Sequence, residues 1–279
     1  HPVGLDLSWW SETSARFASD RKVVSVSLPG HGKSGPIVGD LSLSALADVL
    51  AGLMRQEFTG PAAVVGVSFG GIVAQLIALK HPALISQLIL SGTGAGIPEA
   101  ARAAVAGRGA QALERGMASV CDETLVRWFG DQPERPALVA RARESLLAMT
   151  PESWAQCWQA MSRYDGRDQL SSIAARTLVI HGDADLSAPV AVAQELASGI
   201  PDAELVLLPG GGHLVAFDRA TEFGDRIASF IQAESRDGTP YPVTEAGFTI
   251  PLAEPDVRVS LHPALHARPG SRVSVRRRR

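Results

Sequence analysis

Short apolar runs rich in β-branched residues alternate along the chain with longer stretches in which apolar positions recur at helical spacing. The clearest run is 63–67, AVVGV, which suits a strand buried on both faces of a parallel sheet. It breaks into Gly66, Ser68, Gly70 and Gly71, then resumes as the helical pattern Ile72-Val73-Ala74-Gln75-Leu76-Ile77. A strand, a sharp turn and a helix are predicted here. Residues 22–27, 87–91, 177–180 and 204–208 read as further strands. Residues 41–55 read as a helix with Ser42 or Ser44 as its N-cap. The helix after the turn stops near His81-Pro82, another runs to about Gly199, and a last amphipathic helix runs to about Glu234. The β-α-β alternation implies a doubly wound, mostly parallel sheet with helices on both faces.

Between 94 and 175 the pattern is helical with no clear strand, far longer than an ordinary crossover. This segment is predicted to be a cap inserted between strands, leaving 1–93 and 176–234 as the core. It carries Trp128, Trp154 and Trp158, with Arg127 and Arg163 near them in sequence. Aromatic residues at helical spacing usually build core, but a cap over a site must also line the pocket. The first ten residues read as a loop leaving a strand, so strands are expected ahead of His1. The tail, 235–279, is rich in Pro, Gly and Arg and ends in four arginines, which predicts an unfolded appendage. Within it Val257, Val259 and Leu261 alternate, as in a short strand.

Composition adds mainly exclusions. The chain has 279 residues, 46% hydrophobic and 20% charged, with a formal net charge of −3. That is an ordinary globular balance and gives no case for a nucleic-acid partner. Cys121 and Cys157 fall in the helical segment without metal-ligand spacing and are expected to be buried free thiols. No apolar stretch is long enough to span a bilayer and no signal peptide is visible, so a cytoplasmic location, no membrane partner and no metal are expected. Oligomeric state is not legible.

The chemistry centres on Gly66, Ser68 and Gly70, a G-x-S-x-G turn in which glycines let strand and helix approach around a serine held in a strained conformation. A developing oxyanion beside Ser68 would meet the Phe69 N–H and the positive end of the following helix. A neutral serine needs a base. His213, in the loop Pro209-Gly210-Gly211-Gly212-His213 after the last strand, can serve near neutral pH. A carboxylate must orient that imidazole, and His181-Gly182-Asp183-Ala184-Asp185 offers two. His31 sits in a Gly-rich turn that could rim the pocket. His81 ends a helix, His181 leaves a strand, and His262 and His266 lie in the tail.

The chain order serine, acid, histidine, each at the end of its own strand, resembles the α/β-hydrolase fold. That resemblance puts the acid at the fourth position of G-x-x-D, which is Asp185, with Asp183 as competitor. It implies a second oxyanion donor in the loop at His1-Pro2-Val3; Pro2 lacks an N–H, so Val3 is expected. Ser27 stands where the family commonly has an aspartate opening D-x-x-G-x-G-x-S, a change expected to alter a structural hydrogen bond. Within the family, Arg115-Gly116-Met117-Ala118, Arg127-Trp128-Phe129, Thr150-Pro151-Glu152-Ser153-Trp154, Asp165-Gly166-Arg167-Asp168 and Thr177-Leu178-Val179-Ile180 resemble the 3-oxoadipate enol-lactonases.

The resemblance implies a cofactor-free hydrolase of a small lactone or carboxylic ester, with 3-oxoadipate enol-lactone in aromatic-compound breakdown as one substrate. Arg127, Trp128 and Trp154 are the expected substrate-binding residues. A perhydrolase or haloperoxidase-like enzyme, a carbon–carbon bond hydrolase, and a non-catalytic small-molecule-binding protein are the alternatives. A haloalkane dehalogenase is disfavoured because its nucleophile would be Asp.

Overall fold

The computed structural model describes residues 1–19, 21–130, 135–232 and 260–261. The chain opens not as loop alone but with a 3-10 turn at Leu7–Trp10 and a short helix α1, Ser11–Phe17. Trp9 and Trp10 both pack edge-on against Phe217, which buries this segment on the core and explains why no periodicity announced it. Strand β1 is only Val26–Ser27, shorter than the predicted 22–27. It pairs antiparallel with β6, Ser260–Leu261, in the predicted tail, the rest of which lies outside the described residues.

The remaining elements follow the predicted alternation. They are α2 (Leu43–Glu57), β2 (Ala62–Val67), α3 (Phe69–Lys80), β3 (Ile85–Ser91), α4 (Glu99–Arg115), α5 (Ala118–Phe129), α6 (Pro136–Ala148) and α7 (Pro151–Ser162). Then come β4 (Arg176–Gly182), α8 (Val190–Gly199), β5 (Ala203–Leu208), α9 (Val215–Asp218) and α10 (Ala220–Gln232). Ser42 caps α2, its hydroxyl accepting from the Ala45 N–H at 3.2 Å. Thr150 caps α7 through the Ser153 N–H in the same way.

Strands β2, β3, β4 and β5 form one four-stranded parallel sheet in that order. Successive strand residues point to opposite faces. Since Leu88, Ile89 and Leu90 on β3 are all fully buried, as are Val179, Ile180 and His181 on β4, both faces are covered by helices. The helices α4–α7 sit between β3 and β4 in sequence, with no strand among their described residues. They pack as a unit: Gly109 of α4 lies where an added Cβ would come 2.7 Å from the Ala155 Cα of α7. Cys121 and Cys157 are free and buried in this layer. Among the described residues no helix is long and apolar enough to cross a membrane.

Candidate active site

The sharp turn between β2 and α3 is built by what its residues lack. A Cβ on Gly66 would lie 2.5 Å from the Gly70 carbonyl oxygen, and one on Gly71 would lie 2.6 Å from the Thr93 methyl group. Strand and helix can close together only because both side chains are absent. Between them Ser68 takes φ 54°, ψ −116°, a conformation L-residues avoid. Its N–H donates to the Ser91 carbonyl at 2.9 Å, and its own carbonyl accepts the Gly71 and Ile72 N–H groups. The strain is held by the end of β3 on one side and the first turn of α3 on the other.

His213 follows β5 and is buried. Its N–H donates to the Trp128 carbonyl at 3.1 Å, and the Trp128 ring lies nearly parallel to the imidazole with centroids 6.5 Å apart. Below the ring is Gly92, at φ +54°, where a Cβ would sit 3.1 Å from His213 Nδ1. The imidazole is thus sandwiched between Trp128 of α5 and the turn after β3.

The two candidate carboxylates have separate partners. His213 Nδ1 is 2.8 Å from Asp185 Oδ2, whereas Asp183 Oδ1 accepts the Gly210 N–H at 2.6 Å and so braces the loop that carries His213. Asp185 Oδ1 accepts from the Ser187 and Ala188 N–H groups at 2.7 and 2.8 Å. Burial pushes the Asp185 carboxyl up, but His213 and the Ala188 N–H outweigh it and hold it below the usual carboxylate range. It is a buried anion whose hydrogen-bonded imidazole is that of His213.

His181 also touches this carboxylate, with Nε2 3.5 Å from Asp185 Oδ2 and 2.7 Å from the Ala188 carbonyl, to which it donates. Burial lowers its pKa, so it stands as a neutral ring bracing the acid loop. Sequence reading placed it only at a strand end. The four-residue spacing to Asp185 across a tight turn was the available signal.

The loop at the start of the chain closes over the head of α3. The Gly70 N–H donates to the His1 carbonyl at 3.1 Å, and the Leu28 N–H donates to His1 Nε2 at 2.9 Å. Val3 and Phe69 are both buried, and among the described residues no acceptor takes up either N–H. His31 rims this place, edge-on to His1 and stacked on Phe69 at 6.1 Å. Its Nδ1–H donates to the Pro29 carbonyl, and burial lowers its pKa to about 4. The Ser27 hydroxyl accepts the Leu7 N–H at 3.1 Å and so holds the same loop.

Helices α5, α6 and α7 meet this loop at Gly4, at φ +87°, where a Cβ would strike Leu146 at 2.6 Å and approach Trp154 and Trp128 at 3.2 and 3.5 Å. Trp154 is fully buried, its Nε1–H donating to the Arg108 carbonyl at 3.1 Å. Arg127 is not a free cation: its guanidinium is paired with Glu123 and bonded to Thr124 Oγ1 at 3.2 Å.

Comparison with known proteins supplies the context. A sequence profile of the alpha/beta hydrolase family matches residues 3–226. The chain is 30% identical over 232 residues to 3-oxoadipate enol-lactonase 2 of Acinetobacter baylyi, an alignment covering 82% of this chain and 86% of that protein. It is 25% identical over 243 residues to a pimeloyl-[acyl-carrier protein] methyl ester esterase of Neisseria meningitidis, covering 85% and 92% of the two. Among solved structures, the enol-lactonase of Burkholderia xenovorans superposes with a TM-score of 0.78 at 28% identity, over 83% of this chain and 88% of that one.

Proposed function

The chain belongs to the alpha/beta hydrolase family, and from that premise we propose that it is a serine hydrolase of a small lactone or carboxylic ester, with Ser68, His213 and Asp185 as its catalytic residues. The observation that carries the reading is the 2.8 Å contact of a buried carboxylate on His213 Nδ1, in a chain whose serine is held at positive φ on the head of a helix. Asp185 keeps the proton on Nδ1, which leaves Nε2 free to act as base.

In the first half-reaction Ser68 Oγ attacks the carbonyl carbon while His213 Nε2 takes the hydroxyl proton. The oxyanion is received by the Val3 and Phe69 N–H groups, whose lack of other acceptors supports this role. Collapse breaks the ester bond, and His213 returns the proton to the leaving oxygen. In a lactone that oxygen stays tethered to the acyl-enzyme. Water, deprotonated by His213, then attacks the acyl carbon. Collapse of the second tetrahedral intermediate expels Ser68, which regains its proton, and frees the acid.

The relatives named for enol-lactone and methyl-ester substrates support ester-type chemistry, and we infer the enol-lactone of 3-oxoadipate as the first substrate to try. Trp128 and Trp154 would wall the pocket, because both reach the loop beside Val3. Arg127, tied to Glu123 and Thr124, would contribute positive field rather than an open fork. Labelling with a fluorophosphonate probe tests the reading. Incorporation that disappears in Ser68→Ala is expected, together with turnover of lactone or aryl ester, and an unlabelled wild-type chain would overturn it.

A further inference from the structure

Most arginines of the cap have an anionic or polar partner for their guanidinium. Arg102 bonds Asp165, Arg127 bonds Glu123 and Arg143 bonds Asp122. Arg108 differs. It is half-buried on α4, and among the described residues no hydrogen bond or ion pair takes up its guanidinium. The group lies instead over the Trp158 ring, 4.8 Å from the centroid. Burial above all, and then the neighbouring Arg127 cation, lower its pKa, while Glu123, whose carboxylate is paired with Arg127, raises it in part.

This arrangement is built by the backbone. The close approach of α4 and α7 at Gly109 and Ala155 sets the adjacent Arg108 against Trp158, one helical turn on from Trp154. Trp158 packs edge-on to Trp154 with centroids 5.4 Å apart, and Trp154 reaches the Gly4 loop beside Val3. A run of packed rings therefore links the loop beside Val3 to Arg108, whose guanidinium has no partner among the described residues. Among the described residues the buried Trp158 Nε1–H has no acceptor, a second unused donor beside Arg108. A guanidinium seated over an indole ring keeps N–H groups that can receive a carboxylate in bidentate fashion.

We propose that Arg108, seated on Trp158, anchors a carboxylate at the far end of the substrate, so that the preferred substrates are lactones or esters carrying a free acid. The inference rests on the hydrolase reading for its reaction but not for its binding site.

Two measurements separate them. Hydrolysis of 4-nitrophenyl hemiadipate and of 4-nitrophenyl hexanoate, which differ at the distal carboxylate, is compared for the wild type, Arg108→Met and Arg108→Lys. The ratio of kcat/KM for the acidic over the neutral ester should fall about tenfold or more in Arg108→Met, mainly through KM, and be partly restored in Arg108→Lys. An unchanged ratio in Arg108→Met overturns the proposal. Binding of monomethyl adipate to Ser68→Ala and to Ser68→Ala/Arg108→Met is then read by calorimetry, where no chemistry is needed. Loss of about tenfold in affinity in the double variant supports the anchor, and equal affinity overturns it. A wild type that labels with no fluorophosphonate yet shows this affinity difference would sink the hydrolase reading and leave the anchor standing.

Discussion

Asp185 and His213, 28 residues apart, meet through Oδ2 and Nδ1 at 2.8 Å, while Asp183, two residues before Asp185, accepts the Gly210 N–H instead. The difference yields a sharp expectation. Asp185→Asn keeps the shape but removes the charge that fixes the imidazole tautomer, and kcat/KM should drop about a thousandfold to ten-thousandfold. Asp183→Asn should cost less than about tenfold, since it touches the loop and not the ring. Steady-state hydrolysis by the two variants checks this, and equal losses would reassign the acid.

Ser68 sits at φ 54°, where any side chain with a Cβ is strained. Ser68→Gly should therefore be more stable than Ser68→Ala, by about 1 kcal/mol, although both remove the hydroxyl. Urea unfolding of the two variants reads the difference. Equal midpoints would mean the turn is relaxed in solution.

Acid should begin to weaken the protein before its carboxylates titrate. Burial lowers the His31 pKa from 6.5 to about 4, so between those values the unfolded chain binds a proton that the native chain refuses. Stability is full above 6.5, falls as the pH drops, and loses at most about 3 kcal/mol from this group by pH 4. His181, shifted in the same direction, adds to the slope. In His31→Phe the unfolding free energy should vary less between pH 7 and pH 5 than in the wild type; an identical slope would clear His31 of the effect.

Two glycines of α4 make a controlled pair. A methyl group on Gly107 meets nothing within 4 Å, whereas one on Gly109 would press 2.7 Å from the Ala155 Cα. Helix propensity favours alanine at both by about 1 kcal/mol. Gly107→Ala should thus stabilise by about that amount, while Gly109→Ala should give a net loss, because overpacking costs about 1–3 kcal/mol. Thermal melts of both variants, with far-UV circular dichroism, decide it.

The parallel strands were legible because residues buried on both sides read as unbroken apolar runs, and β2 to β5 lie within a few residues of their predicted bounds. The turns that carry Ser68 and His213 were legible for a related reason, since each follows an apolar run and is marked by glycines, at places where the structure leaves no room for a Cβ. The start of the chain was not. Trp9 and Trp10 gain their burial from Phe217, some two hundred residues away, and no local period encodes that contact. The partners of Arg127 and Arg108 were hidden likewise. Both lie on the helices between β3 and β4, near tryptophans in sequence or space, and the turn-by-turn geometry of α4, α5 and α7 decides that Arg127 pairs with Glu123 while Arg108 lies over Trp158.

Gly4 has Leu146, Trp154 and Trp128 against its bare α-carbon, and it adjoins Val3, whose N–H is proposed to receive the oxyanion. The residues that would sort substrates by size and charge therefore press on the same few backbone atoms that would set the rate. On that proposal, selectivity and turnover in this protein would not be separate dials. A cap transplanted from another hydrolase would have to reproduce that contact with Gly4 before its new preference could be expressed, and adaptation to a new substrate should proceed by paired changes in the cap and in the loop at residues 1–5.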